Sequence, residues 1–153
     1  MSSLLFRPAL AGITFVPAAA AAAVDWRSRR IPDLLVVLGS IPPLLVLLLA
    51  GDPTLLASVA LGTAVMAVPL LLLHLVAPAA MGFGDVKLAA VLGATLGVVD
   101  AELAVPALAI ASGLTLVAAV WERRSAIAFG PGLVTGSALA LGAGAIGGWW
   151  SVA

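Results

Sequence analysis

Two aspartates stand out as groups able to carry acid–base chemistry. Asp25 opens the run DWRSRRIPD (25–33), and Asp85 lies in GFGDVKL (82–88). Each is expected at a loop where an apolar run meets arginine or lysine. Charge near lipid is costly, roughly 2.5–3.5 kcal/mol per residue at a helix centre by insertion scales, so each carboxylate needs a reason to be there. Two carboxylates within hydrogen-bond reach cannot both ionise cheaply. One pKa rises, and the pair holds a single proton. The charged member then activates a water while the protonated member donates to a carbonyl, which is peptide-bond hydrolysis without metal or cofactor.

The elements that must bring these residues together are apolar helices. The 153-residue chain is 63% hydrophobic and 9% charged, far below the roughly one-quarter charged residues of a soluble domain. A span takes about 20 residues, so the length suits an all-α, polytopic membrane protein of six transmembrane helices in a single domain. Continuous rather than alternating apolar runs exclude a β-barrel. The expected spans are 8–24, 34–50, 55–77, 86–99, 103–121 and 133–150. Asp100 and Glu102 break residues 88–121 into two helices, because both would otherwise sit deep in lipid. Pro106 suits the first turn of the second. The N-terminal apolar stretch imitates a signal peptide only weakly, having one arginine before it and several after it, and is expected to be retained as the first span.

Charge placement sets the sidedness. With six spans, Arg27, Arg29, Arg30, Lys87, Arg123 and Arg124 share one face, which holds six of the seven basic residues. That face is cytoplasmic by the positive-inside rule, and both termini lie outside the cytoplasm. Asp25 and Asp85 fall on this same face; Asp52, Asp100 and Glu102 fall on the other. Trp26, Trp121, Trp149 and Trp150 are expected as interfacial anchors. Gly93 with Gly97, Gly132 with Gly136, and Gly144 with Gly148 form small helix faces suited to close packing.

Other roles remain open to the two aspartates. Asp25 is placed to pair with Arg29, and Asp85 to cap the fourth helix. Acidic residues in membranes also mark ion or substrate paths. The helix N-terminus favours Asp85 as the more readily ionised member. Gly82 and Gly84 leave bare backbone for a sharp turn or for a substrate strand. Asp33 is placed to cap the second helix after Ile31–Pro32. Arg27, Arg29 and Arg30 suit topology, lipid headgroups and substrate contact. Lys87 suits snorkelling or polarising the site, and His74 suits hydrogen-bonded packing first and a catalytic role second. Phe129, Gly130, Pro131 and Gly132 form a rigid turn placed to line a substrate entry. The absence of cysteine excludes disulfides and thiolate metal sites, and nothing in the charge pattern suggests nucleic-acid binding.

These motifs together resemble the type IV prepilin peptidases, GxGD-type aspartic proteases of the bacterial inner membrane. GFGDVKL is similar to their GxGD segment, with Asp85 as the second catalytic aspartate. Asp25, trailed by Arg29, Arg30, Ile31 and Pro32, is similar to their first. Phe129, Gly130 and Pro131 are similar to their late Phe-Gly-Pro stretch. The matches run from about residue 9 to residue 136. The resemblance implies a bacterial cytoplasmic-membrane enzyme that cuts the basic leader from prepilins and pseudopilins at the cytoplasmic face. It implies catalytic Asp25 and Asp85, no cofactor and no metal. Many larger members also methylate the new N-terminus and carry a further cytoplasmic region with zinc-binding cysteines. This chain is similar to the compact standalone members of tight-adherence or Flp-type pilus systems, so methylation is not expected. Asp33 stands where the family commonly has Asn, and Phe83 where Met is frequent. A small transporter with Asp25 and Asp85 as ion or proton ligands, and an inactive pilus-assembly scaffold, are the rival readings.

Overall fold

Apolar runs rich in Leu, Ala and Val satisfy their backbone polar groups internally as helices, the solution an apolar surrounding requires. The structure is a computed structural model that describes residues 2–28, 30–78, 81–122 and 128–146. Its six α-helices are α1 (Ser2–Ser28), α2 (Asp33–Ala50), α3 (Pro53–Val76), α4 (Phe83–Val99), α5 (Ala104–Glu122) and α6 (Gly130–Ile146), with a 3-10 turn at Ala101–Leu103. No strand occurs among the described residues.

Local chemistry explains the breaks. α1 runs past the expected end of the first span, so Asp25 sits inside its last turn and not in the following loop. Nothing in Trp26–Arg27–Ser28 breaks a helix, whereas Pro32 disfavours helical backbone at Ile31. α2 ends at Gly51, which adopts φ 58° and donates its N–H to the Leu47 carbonyl at 3.2 Å. Asp52 then caps α3, accepting from the Thr54 N–H at 2.9 Å, with Pro53 as the first helical residue. Asp100 is extended and separates α4 from the turn that leads into α5; its Oδ1 accepts from the Glu102 N–H at 2.9 Å. Pro106 falls in the first turn of α5. Asp33 does not cap α2. The capping position belongs to Pro32, and Asp33 lies in the first turn.

α4 is the central helix, packed by α1, α2, α3 and α6. Leu88, Ala89, Leu92 and Leu96 are wholly buried along it. α3 and α4 meet backbone to backbone. A Cβ on Gly62 would lie 2.5 Å from the Gly93 carbonyl oxygen, and one on Gly97 would lie 2.6 Å from that of Ser58. Ser58 Oγ seals this contact by donating to the Gly97 carbonyl at 2.7 Å. Gly132 and Gly136 bring α6 against α5 in the same manner: a Cβ on Gly136 would meet the Ala107 carbonyl oxygen at 2.6 Å. Gly144 is buried in α6. Gly148, Trp149 and Trp150 lie outside the described residues.

The outer surface is apolar. Leu48, Leu49, Val76 and Val120 each expose more than 70% of their area, and such a surface is stable only in an apolar medium. Asp33–Ala50, Pro53–Val76 and Ala101–Trp121 are long and apolar enough to cross a membrane, and α6 is a shorter apolar helix. The chain is a membrane protein. Trp26 and Trp121 are exposed at the ends of α1 and α5.

Candidate active site

Asp25 ends a stripe of small buried residues along α1: Thr14, Ala18, Ala21 and Ala22 precede it at helical spacing. The stripe faces the core, so the carboxylate that continues it is 5% exposed although Trp26, Arg27 and Ser28 point outward. Asp85 likewise heads the buried stripe Leu88, Ala89, Leu92 and Leu96 of α4, and is 8% exposed. The two core stripes thus deliver both carboxylates to one end of the bundle.

The N-terminus of α6 closes the site. The Gly130 N–H donates to Asp25 Oδ2 at 3.2 Å and also bears on the Asp85 carboxyl. Any side chain here would intrude, because a Cβ on Gly130 would lie 2.8 Å from Asp25 Oδ2. The expected turn at 129–132 therefore holds an amide donor between the two acids. Phe129 is partly buried against the core and does not line the cavity described below, and Pro131 follows Gly130 within α6.

Asp25, Arg30, Ile31, Asp33, Gly82, Phe83, Gly84, Asp85 and Lys87 line one cavity of about 340 Å³. Ile31 fills the space that Gly84 leaves, since a Cβ there would meet the Ile31 Cβ at 3.0 Å. The bare backbone at Gly84 is therefore used for packing, and it joins the segment after Asp25 to the segment before Asp85. Lys87 lines the same cavity as the pair and is engaged with another acid. Its Nζ binds Asp33 Oδ1 at 2.6 Å and lies 5.4 Å from the centre of the Phe83 ring. Asp33 is thus the counter-ion of Lys87 across the cavity mouth. Arg30 lines the cavity, Arg27 is exposed, and Arg29, Arg123 and Arg124 lie outside the described residues.

Both aspartates lie in terminal turns, beyond the apolar runs 8–24 and 86–99. Burial raises the Asp25 pKa, and the Gly130 N–H partly offsets this. Asp85 is pushed up to about 7, first by burial and then by the charge of Asp25, against the lowering effect of the Gly82 and Gly130 amides. The helix N-terminus therefore does not hold Asp85 low. Loss of water around the carboxyl outweighs the pull of its helix N-terminus. Asp85 Oδ1 is buried without a hydrogen-bond partner, a setting that disfavours a full negative charge. Such a pair can hold one proton and offer a base beside an acid.

Sequence reasoning left Gly130 as part of a turn, although a Phe-Gly-Pro stretch before an apolar helix signals a free N-terminal amide. It assigned packing to His74 without a partner. The His74 Nδ1 is 2.8 Å from the Met81 carbonyl oxygen, a loop contact that spacing does not reveal.

The fold and cavity define a helical membrane protein with a buried carboxylate pair under one face. A family description, the type IV leader peptidase family, matches residues 12–121, and the chain belongs to that family. The family makes it a leader-peptidase type of protease. Comparison with curated proteins and with solved structures gives no match.

Proposed function

We propose that this chain is an aspartic endopeptidase that removes the basic leader of prepilins or pseudopilins at the cytoplasmic face of the bacterial inner membrane. The observation that carries the reading is the pair itself: Asp25 and Asp85 are both buried and line one cavity, the Gly130 N–H donates to Asp25 Oδ2, and the Asp25 charge helps raise Asp85 to about 7. Below that pH Asp85 keeps its proton while Asp25 is the base. Asp25 takes a proton from water as its oxygen attacks the scissile carbonyl carbon. Asp85 gives its proton to the carbonyl oxygen. Collapse of the resulting diol breaks the C–N bond: Asp25 returns the captured proton to the leaving amine while Asp85 takes back a proton from a diol hydroxyl, restoring the starting pair.

The six helices act as six spans in this reading. Arg30, Lys87 and the other basic loop residues lie on the cytoplasmic side, and both termini lie on the opposite side. The basic leader meets the acidic cavity that Asp25, Asp33 and Asp85 line, and its following apolar helix remains in the lipid. Gly82 and Gly84 shape the cavity wall.

The test is cleavage of a prepilin by purified protein in liposomes. Asp25→Asn and Asp85→Asn each lower turnover by about 10³-fold or more, the scale of losing a general acid or base, while both variants remain folded. Normal cleavage by either variant rejects the reading. Ion flux through sealed vesicles that depends on both aspartates, without cleavage, establishes the transporter instead.

A further inference from the structure

We propose that His74 is a positioning residue that holds the segment carrying Asp85. It rests on α3, one element away from the carboxylate pair, and does not line the cavity. Its Nδ1 lies 2.8 Å from the carbonyl oxygen of Met81. A carbonyl can only accept, so the imidazole carries its hydrogen on Nδ1 and donates. The same ring leans on Phe83, with centroids 5.5 Å apart and planes tilted by 46°. One side chain therefore grips the residues on both sides of Gly82, the residue that caps α4.

The grip matters because Gly82 supports the carboxyl of Asp85. The Asp85 N–H donates to the Gly82 carbonyl at 3.1 Å. A Cβ on Gly82 would lie 3.6 Å from Asp85 Oδ2, so this backbone also forms the floor beneath the carboxyl. Met81 is anchored twice, by its side chain in the core and by its carbonyl on His74. Phe83 is half exposed, and its ring rests on His74 and Lys87. Met81 and Gly82 lead into α4 outside any regular element. Their register against α3 is set by the imidazole. A general acid must sit within hydrogen-bond reach, about 2.6–3.2 Å, of the carbonyl oxygen it serves, and a shift of about 1 Å at a reacting group costs on the order of 10²-fold in rate. His74 fixes that position without touching substrate.

The inference rests on the leader-peptidase reading for its kinetic arm only. Four forms are compared: wild type, His74→Leu, His74→Asn and His74→Gln. The Asn amide nitrogen reproduces Nδ1, whereas that of Gln reproduces Nε2. His74→Leu and His74→Gln are expected to lower kcat by about 10- to 100-fold with KM unchanged, and to speed amide exchange across residues 81–86. His74→Asn is expected to restore both. A purely structural role for the ring would make Asn as poor as Gln. Equal behaviour of Asn and Gln overturns the proposal, as does wild-type turnover and exchange in His74→Leu. Should His74→Leu fail to fold, the Asn and Gln pair decides alone. Should wild type cleave no prepilin, the proposed function falls, and the exchange contrast still decides the grip.

Discussion

At one end of the helices Asp52 and Asp100 cap the segments that succeed them. Each accepts a backbone N–H two residues on at 2.9 Å, and each stays partly exposed. At the other end Asp25 and Asp85 also occupy terminal helical turns, yet they are buried and raised in pKa. All four are aspartates at helix ends. The difference lies in what packs around them. Asp52 and Asp100 serve the backbone of their own segments. Asp25 and Asp85 face the core, each other and the amide that opens α6. A carboxylate that serves its own helix is a stabilising cap; one that tertiary packing turns inward becomes a titrating pair.

The sharpest way to break this contrast is to fill the space between the two acids. Gly130→Ala puts a methyl group 2.8 Å from Asp25 Oδ2. We expect it to lower leader cleavage by about 100-fold, the scale of a misplaced reacting group. Gly142→Ala, which meets nothing within 4 Å on the same helix, is expected to leave cleavage intact. Equal activity in the two variants, measured with one prepilin, would remove the role of the α6 N-terminus.

A pH titration sharpens the same contrast. Cleavage is expected to fall as pH rises through about 7, because Asp85 then loses its proton. Stability has the same sign. The Asp85 pKa is raised from 3.8, so its contribution is fully present below 3.8 and is lost as pH rises through about 7. Thermal unfolding in detergent should therefore show stability falling as pH rises from 3.8 to about 7, a fall that Asp85→Asn lessens. A fall of the same size over that range in Asp85→Asn would assign it to other groups.

The smallest effect is expected at the capping end. Asp52→Ala removes the acceptor for Thr54 N–H and Oγ1. It should cost about 1 kcal/mol of stability, the usual value of an N-cap, and leave cleavage unchanged. Loss of cleavage comparable to that of Asp85→Asn would mean that the two ends are not independent.

Much of this molecule could be read from residue order. Charge scarcity and continuous apolar runs dictate helices, because unpaired backbone is untenable in lipid. Gly51, Asp52, Pro53 and Asp100 mark breaks through local rules alone, which is why those boundaries were legible. GFGDVKL and DWRSRRIPD marked the acidic pair, since a carboxylate beside lipid has few bland uses.

Other features depend on contacts between distant segments, and only tertiary structure decided them. The helix N-terminus alone would lower the Asp85 pKa, but burial beside Asp25 raises it. Asp33 had the appearance of a cap and is the partner of Lys87. Gly84 had the appearance of open backbone and is filled by Ile31. Gly130 and His74 act through a backbone amide and a backbone carbonyl, groups that nearly every residue possesses and that sequence cannot distinguish. Residue types specify which groups can ionise and where helices stop; the packing of α1, α3, α4 and α6 fixes which of those groups lose water and meet.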